Sequence, residues 1–393
     1  MTMNDASQFT VALRIGLAGL PRRWGSSLVI VASVACTIGV LVSILALSTG
    51  LKQAWTRGGS DRVAVVLGRD AAFVYESTLT RADIAAVADT PGIARDTVDG
   101  APVVLASGEF RAQLPPVPRA ADGSIQVRGI PPVGINSTIR PAFRIESGRM
   151  FRPGAQELII GVGIARAHGA HIGATMLMPD GEWPIVGTFS DGGSITESDL
   201  MGDADTLAAS LRRDAFSHVL VALEDPDAFD RFANALRTNS ALRVSIERQS
   251  DFLARVGGDA ARYFSALAWS VGLVMTVGAL FACVKILYAS VSVRTQEMAT
   301  LRALGYARVP VAASVLAEGV VLAVIGAVLG GAVAWLLFDG RYTADYNRMF
   351  TMAVTPGLLI AGIGWAAVLA LIGGLVPALR AARLQVVEGL RQV

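Results

Sequence analysis

Glu197, Asp199, Asp203 and Asp205 crowd one Gly- and Ser-containing stretch, GTFSDGGSITESDLMGD, and carboxylates so grouped are what a hard cation takes. Their order departs from an EF-hand loop, and the composition equally describes an exposed, solvated acidic loop, the reading we adopt. His168 and His171 have the i, i+3 spacing of a helical metal pair, but no third ligand lies nearby in sequence. A phosphate loop needs Gly-Lys before Ser or Thr, and the only lysines, Lys52 and Lys285, follow Leu51 and Val284. There is no Walker A motif, and G-x-S-x-G, H-E-x-x-H and C-x-x-C are missing as well. Glu318 is the one acid inside an apolar run, a costly placement that marks a functional residue by default. With no other ionisable group at its depth to continue a proton path, the expected role is structural, paired with Arg302, Arg308 or hydroxyls. The chain is expected to be non-catalytic, with no metal or cofactor of its own.

The elements that must carry these residues follow from composition. Of 393 residues, 53% are hydrophobic, and the mean hydropathy is +0.52, too apolar for an ordinary soluble chain of this size. Charge is segregated: residues 51–262 hold 22 Lys+Arg and 26 Asp+Glu, most of the total, so one acidic soluble domain interrupts a membrane protein. Four apolar stretches are long enough to cross a bilayer: 28–49, 263–289, 309–338 and 352–379. Trp24, Tyr263, Trp269, Tyr288 and Trp335 fall near their ends, as interfacial aromatics do. Gly326-x-x-x-Gly330, with Gly331, suits close packing of the third span on a neighbour.

Basic residues set the orientation. Arg14, Arg22 and Arg23 precede the first span; Arg294, Arg302 and Arg308 lie between the second and third; Arg380, Arg383 and Arg391 follow the fourth. These flanks belong in the cytoplasm, which puts both termini (1–27 and 380–393) and the loop 290–308 inside. The domain 50–262 and the short loop 339–351 then lie outside. The first apolar run is too long for the h-region of a cleaved signal, so it reads as a span. Before it, Phe9, Ala12, Leu13, Gly16, Leu17 and Leu20 recur at helical spacing and suggest an interfacial helix on the inner leaflet. The acidic domain argues against nucleic acid as a partner.

Within that domain, SHVLVALED, PDAFDRFANALRTN and ALRVSIE read as strand, helix and strand, a βαβ-like unit. DRVAVVLG followed by a helix capped by Thr80 supplies a second half-unit. Short apolar runs in the Gly- and Pro-rich stretch 125–190 suggest a small β subdomain inserted between them. The predicted fold is an α-helical membrane protein with four transmembrane helices plus an α+β extracytoplasmic domain, itself an α/β subdomain with an inserted small β subdomain.

The loop between the second and third spans reads VRTQEMATLRALG. Arg294 to Leu304 can form a short helix with Met298, Leu301 and Leu304 on one apolar edge, Arg294 and Glu297 at i, i+3, and Gly305 as its stop. Such an edge suits either lipid or a groove on a partner protein. This pattern, Arg-x-x-Glu, an apolar pair, then Leu-Arg-Ala-Leu-Gly through Arg302, Ala303, Leu304 and Gly305, resembles the MacB/FtsX family of ABC transporter permeases, the type VII or mechanotransmission class. Glu318, Gly326 and Gly330 continue the resemblance. So does the C-terminus, with Pro377, Ala378, Ala381, Ala382, Leu390 and Arg391, although Val386 stands where the family usually has proline. GRMFRPGAQELIIGVGIA looks like the family's periplasmic core domain.

The resemblance implies a permease of the inner (plasma) membrane whose cytoplasmic loop acts as a coupling helix on a separate ABC ATPase subunit, which binds ATP and Mg. It implies two permease copies, or one and a paralogue, and for efflux or lipoprotein handling a periplasmic adaptor and outer-membrane channel. The alternative is an FtsX-like transmitter that activates an extracytoplasmic cell-wall hydrolase and moves no cargo. The large two-part domain favours the transporter.

Overall fold

The computed structural model describes residues 24–98, 101–114, 125–239, 242–293, 295, 300, 303, 307–345 and 348–383. They divide into two compact units, one drawn from 50–261 and 342–352, the other from the rest. In chain order, α1 (Trp24–Thr56) leads to β1 (Val63–Gly68), α2 (Arg81–Ala88), β2 (Arg95–Val98), β3 (Ala101–Val104) and β4 (Ala106–Leu114). Next come β5 (Ile125–Ile130), β6 (Phe143–Gly148), β7 (Leu158–Gly161), α3 (Val162–His168), β8 (Thr175–Met178), β9 (Gly181–Asp191), β10 (Asp199–Asp203) and α4 (Ala204–Ser210). The chain continues through β11 (His218–Ala222), α5 (Ala228–Thr238), β12 (Val244–Arg248), α6 (Gln249–Val293), α7 (Arg308–Phe338), β13 (Tyr342–Asp345), β14 (Arg348–Thr351) and α8 (Pro356–Arg383).

The first unit is built on one ten-stranded sheet, ordered β12-β1-β11-β4-β5-β10-β7-β9-β6, with β8 also on β9. Strands β11 and β12 both run antiparallel to β1, which lies between them, and α5 connects them in a split β-α-β arrangement. Strand β4 then changes neighbours: Ala106 to Glu109 pair with β11, and Phe110 to Leu114 pair with β5. The inserted strands therefore extend the sheet of the α/β part through β4. Strand alternation sends Ala64, Val66, Phe110, Val219 and Val221 to one face, where Val87 of α2 and Phe232 and Leu236 of α5 complete a core. On the other face Val63, Val65 and Leu220 pack with Phe252 and Val256 from the start of α6. Thr80 closes a capping box with Asp83 at the head of α2.

The stretch 339–351 is more than a connecting loop, because β13 and β14 pair as a hairpin that belongs to the same compact unit as the sheet. Arg166 donates to the Tyr342 hydroxyl at 2.7 Å and lies over its ring. Alternation is too short in YTAD and RMFT to announce strands.

The second unit holds the apolar helices. Among the described residues four helices are long and apolar enough to span a membrane: α1, α6, α7 and α8. Leu273, Val274, Phe281, Leu336 and Ile360 are exposed on them, as side chains facing lipid would be. Small residues allow the helices to meet. Gly362 of α8 faces Ile38 and Val42 of α1, and Gly373 faces Leu280 and Cys283 of α6. Two polar contacts cross between helices, Ser48 Oγ with Ser265 Oγ at 2.8 Å, and Trp365 Nε1 donating to Thr276 Oγ1 at 3.0 Å.

Candidate functional site

Alternation along β4 places Ser107, Glu109 and Arg111 on the face opposite α2 and α5. Register adds the rest: His218 stands across from Glu109, Arg128 across from Arg111, and Asp199 across from Gln126 one strand further. Arg140, from the turn before β6, completes a buried ionic cluster in which no side chain is more than 8% exposed. Arg140 Nη2 donates to both Glu109 oxygens, at 2.7 and 2.8 Å, and Arg128 Nη1 reaches Glu109 Oε2 at 3.3 Å. Arg128 Nε and Nη2 donate to Asp199 Oδ2 at 2.9 and 2.7 Å, while Arg111 Nη2 stands 3.4 Å from the same oxygen. His218 Nε2 is 3.4 Å from Glu109 Oε2. Burial opposes the charge on Glu109, but Arg140 and His218 outweigh it and hold this carboxyl well below the usual range.

Sequence reasoning missed this cluster. The available signal was charge at alternate positions of otherwise strand-like runs, Glu109 and Arg111 in one and Arg128 in another, which a half-buried antiparallel strand ordinarily points to water.

The acidic stretch is correspondingly not an exposed loop. Glu197, Asp199 and Asp203 are buried, and only Asp205 of the four is exposed. Each carboxylate has a protein partner: Asp199 binds arginine, Glu197 accepts from the N–H groups of Asp191 and Gly193 at 2.8 Å, and Asp203 caps α4 through Thr206. Asp205 pairs with Arg81 at 2.7 Å. The histidine pair also dissolves, because Gly169, in the left-handed conformation, ends α3 at His168 and leaves His171 beyond the helix.

In the membrane unit, Glu318 is buried on α7. Arg308 is exposed at the start of the same helix, about 15 Å away along its axis at 1.5 Å per residue, too far for a direct pair. Gly326 and Gly330 lie where α7 meets α1. A Cβ at Gly326 would come 2.7 Å from the Val31 carbonyl oxygen, and one at Gly330 would overlap that of Ala35. Pro377, Ala378, Ala381 and Ala382 are buried in α8. Arg294, Glu297, Met298, Leu301, Arg302, Leu304 and Gly305 lie outside the described residues, as do Val386, Leu390, Arg391 and the N-terminal amphipathic stretch.

A family model of the MacB-like periplasmic core domain matches residues 27–239, over half of the chain, and one of the FtsX-like permease C-terminal matches 269–386. The chain belongs to the MacB/FtsX-like permeases of ABC transporters. Membership implies an ATPase partner and a permease that is generally non-catalytic. No curated protein sequence matches the permease. Among solved structures, it is similar to the extracellular domain of the noncanonic ABC-type transporter YknZ from Gram-positive bacteria, with 14% identity and a TM-score of 0.35, covering 47% of this chain and 99% of that one.

Proposed function

We propose that the permease couples ATP hydrolysis on a separate cytoplasmic subunit to motions of its extracytoplasmic domain that drive efflux or lipoprotein handling. Arg294, Glu297, Met298, Leu301, Arg302, Leu304 and Gly305 form the coupling segment, inside the cell with both termini. ATP and Mg bind the partner ATPase, and the working unit contains two permeases, identical or paralogous, in the inner (plasma) membrane. An adaptor and an outer-membrane channel complete the path on the far side.

The observation that carries this reading is the length of α6. It runs 45 residues, about 67 Å at 1.5 Å per residue, against a hydrocarbon core of about 30 Å. Its first turns give Phe252 and Val256 to the core under the sheet, and its last residue, Val293, directly precedes Arg294. One continuous element thus joins the residues assigned to ATPase docking with those of the extracytoplasmic core.

Copurification with the ATPase and measurement of ATP turnover test the proposal. Asp at Met298, Leu301 and Leu304 together is expected to release the ATPase, and Glu297→Lys to lower turnover. Wild-type retention and turnover in both variants would reject the docking segment. An extracytoplasmic hydrolase recovered in place of an adaptor would favour the transmitter reading.

A further inference from the structure

The ionic cluster borders a cavity of about 80 Å³ between the sheet and the facing ends of α1 and α6, several times what one water needs. Among the described residues, the buried side-chain nitrogens without a hydrogen-bond partner are Arg111 Nε and His218 Nδ1, and both residues line this cavity. An orphaned guanidinium N–H is costly to bury, and Arg111 is only 8% exposed. Its remaining ion-pair contact, to Asp199, is the long one at 3.4 Å, since Arg128 holds that carboxylate more closely.

Charge at the cavity surface favours an anion. Arg57, Arg111, Arg128 and Arg140 line it against one carboxylate, Asp191, which burial pushes up in pKa despite its bonds to Ser194 and the nearby Arg140. Glu109 and Asp199 stand behind the arginines, and Glu197 is turned to backbone N–H groups. Hydrocarbon makes up much of the remaining lining: Val65, Phe73, Val74, Leu220, Phe252 and Val256.

We infer that this cavity is a binding site for a small carboxylate with a short apolar chain, its head group on Arg111 Nε and its chain against Phe73 and Phe252. The apolar share of the lining favours a carboxylate that carries a hydrocarbon chain over inorganic phosphate, which has nothing to set against Phe73, Val74 and Phe252. His218 Nδ1, also without a partner, belongs to the same lining and can meet a polar oxygen of the ligand. Binding does not depend on the coupling proposed above.

Calorimetric titration of the full chain in lipid nanodiscs with acetate, butyrate, inorganic phosphate and 1-butanol tests the site. Butyrate is expected to bind saturably and about fifteenfold more tightly than acetate, at about fourfold per buried methylene. Arg111→Gln should weaken butyrate at least tenfold. Val74→Trp, at the partly buried edge of the cavity, should do the same by filling it, and serves if the arginine variant does not fold. Absence of saturable butyrate binding, unchanged affinity in either folded variant, or equal or tighter binding of phosphate or 1-butanol would overturn the assignment.

Discussion

Arg140 holds Glu109 by two hydrogen bonds from one nitrogen, 2.7 and 2.8 Å long, in a place where Glu109 is fully shielded from water. Such a pair gains little over a well-packed apolar one, but halving it strands a buried charge. Glu109→Gln leaves Arg140 without its anion and Arg128 with Asp199 alone, and is expected to destabilise the extracytoplasmic domain by about 3–5 kcal/mol. Urea unfolding of the detergent-solubilised chain measures this. Adding Arg140→Met should recover part of the loss, since the two sites share one interaction.

The same pair predicts a pH dependence with a definite sign. The Glu109 carboxyl lies below its unfolded value of about 4.3, so the folded state binds fewer protons there. Its contribution is complete above that value and is lost as pH falls through the folded pKa. The stability gap between wild type and Glu109→Gln is therefore expected to shrink as pH falls below about 4. A gap that failed to shrink below about 4 would contradict the electrostatic account.

Glycines separate two kinds of membrane contact. A side chain at Gly330 would run into the Ala35 carbonyl of α1, whereas a methyl at Gly364 meets nothing within 4 Å. Gly330→Leu is expected to lower thermal stability in detergent by about 1–3 kcal/mol or to prevent assembly, as overpacking does. Gly364→Ala should be neutral or stabilising by up to about 1 kcal/mol, because it restricts the unfolded chain at no steric cost.

Legibility followed the scale of the physical signal. Runs of some twenty apolar residues announced the four long helices, and the βαβ-like pattern from Ser217 announced β11, α5 and β12, since burial there repeats over many positions. What sequence could not convey is that β1 lies between β11 and β12, because pairing partners are far apart in the chain. The ionic cluster failed for the same reason. Arg128 and Asp199 look solvated one at a time, and their burial becomes affordable only when strand register brings them within 2.7 Å. Asp199 illustrates the cost of local reading: a Gly-rich, acidic neighbourhood suggested a loop, and the residue is 1% exposed in a strand.

Orientation can be settled by labelling. Cys36 and Cys283 both lie in apolar helices, and replacing them leaves a chain without thiols. Leu177, in β8, is 64% exposed, so a cysteine there should react readily with a membrane-impermeant maleimide if the domain is outside. On the orientation proposed from the Arg-rich flanks, Leu177→Cys is expected to be labelled in intact spheroplasts, and Arg391→Cys only after the membrane is opened. The reverse pattern would place the coupling segment on the side without ATP and would reject the proposed mechanism along with the topology.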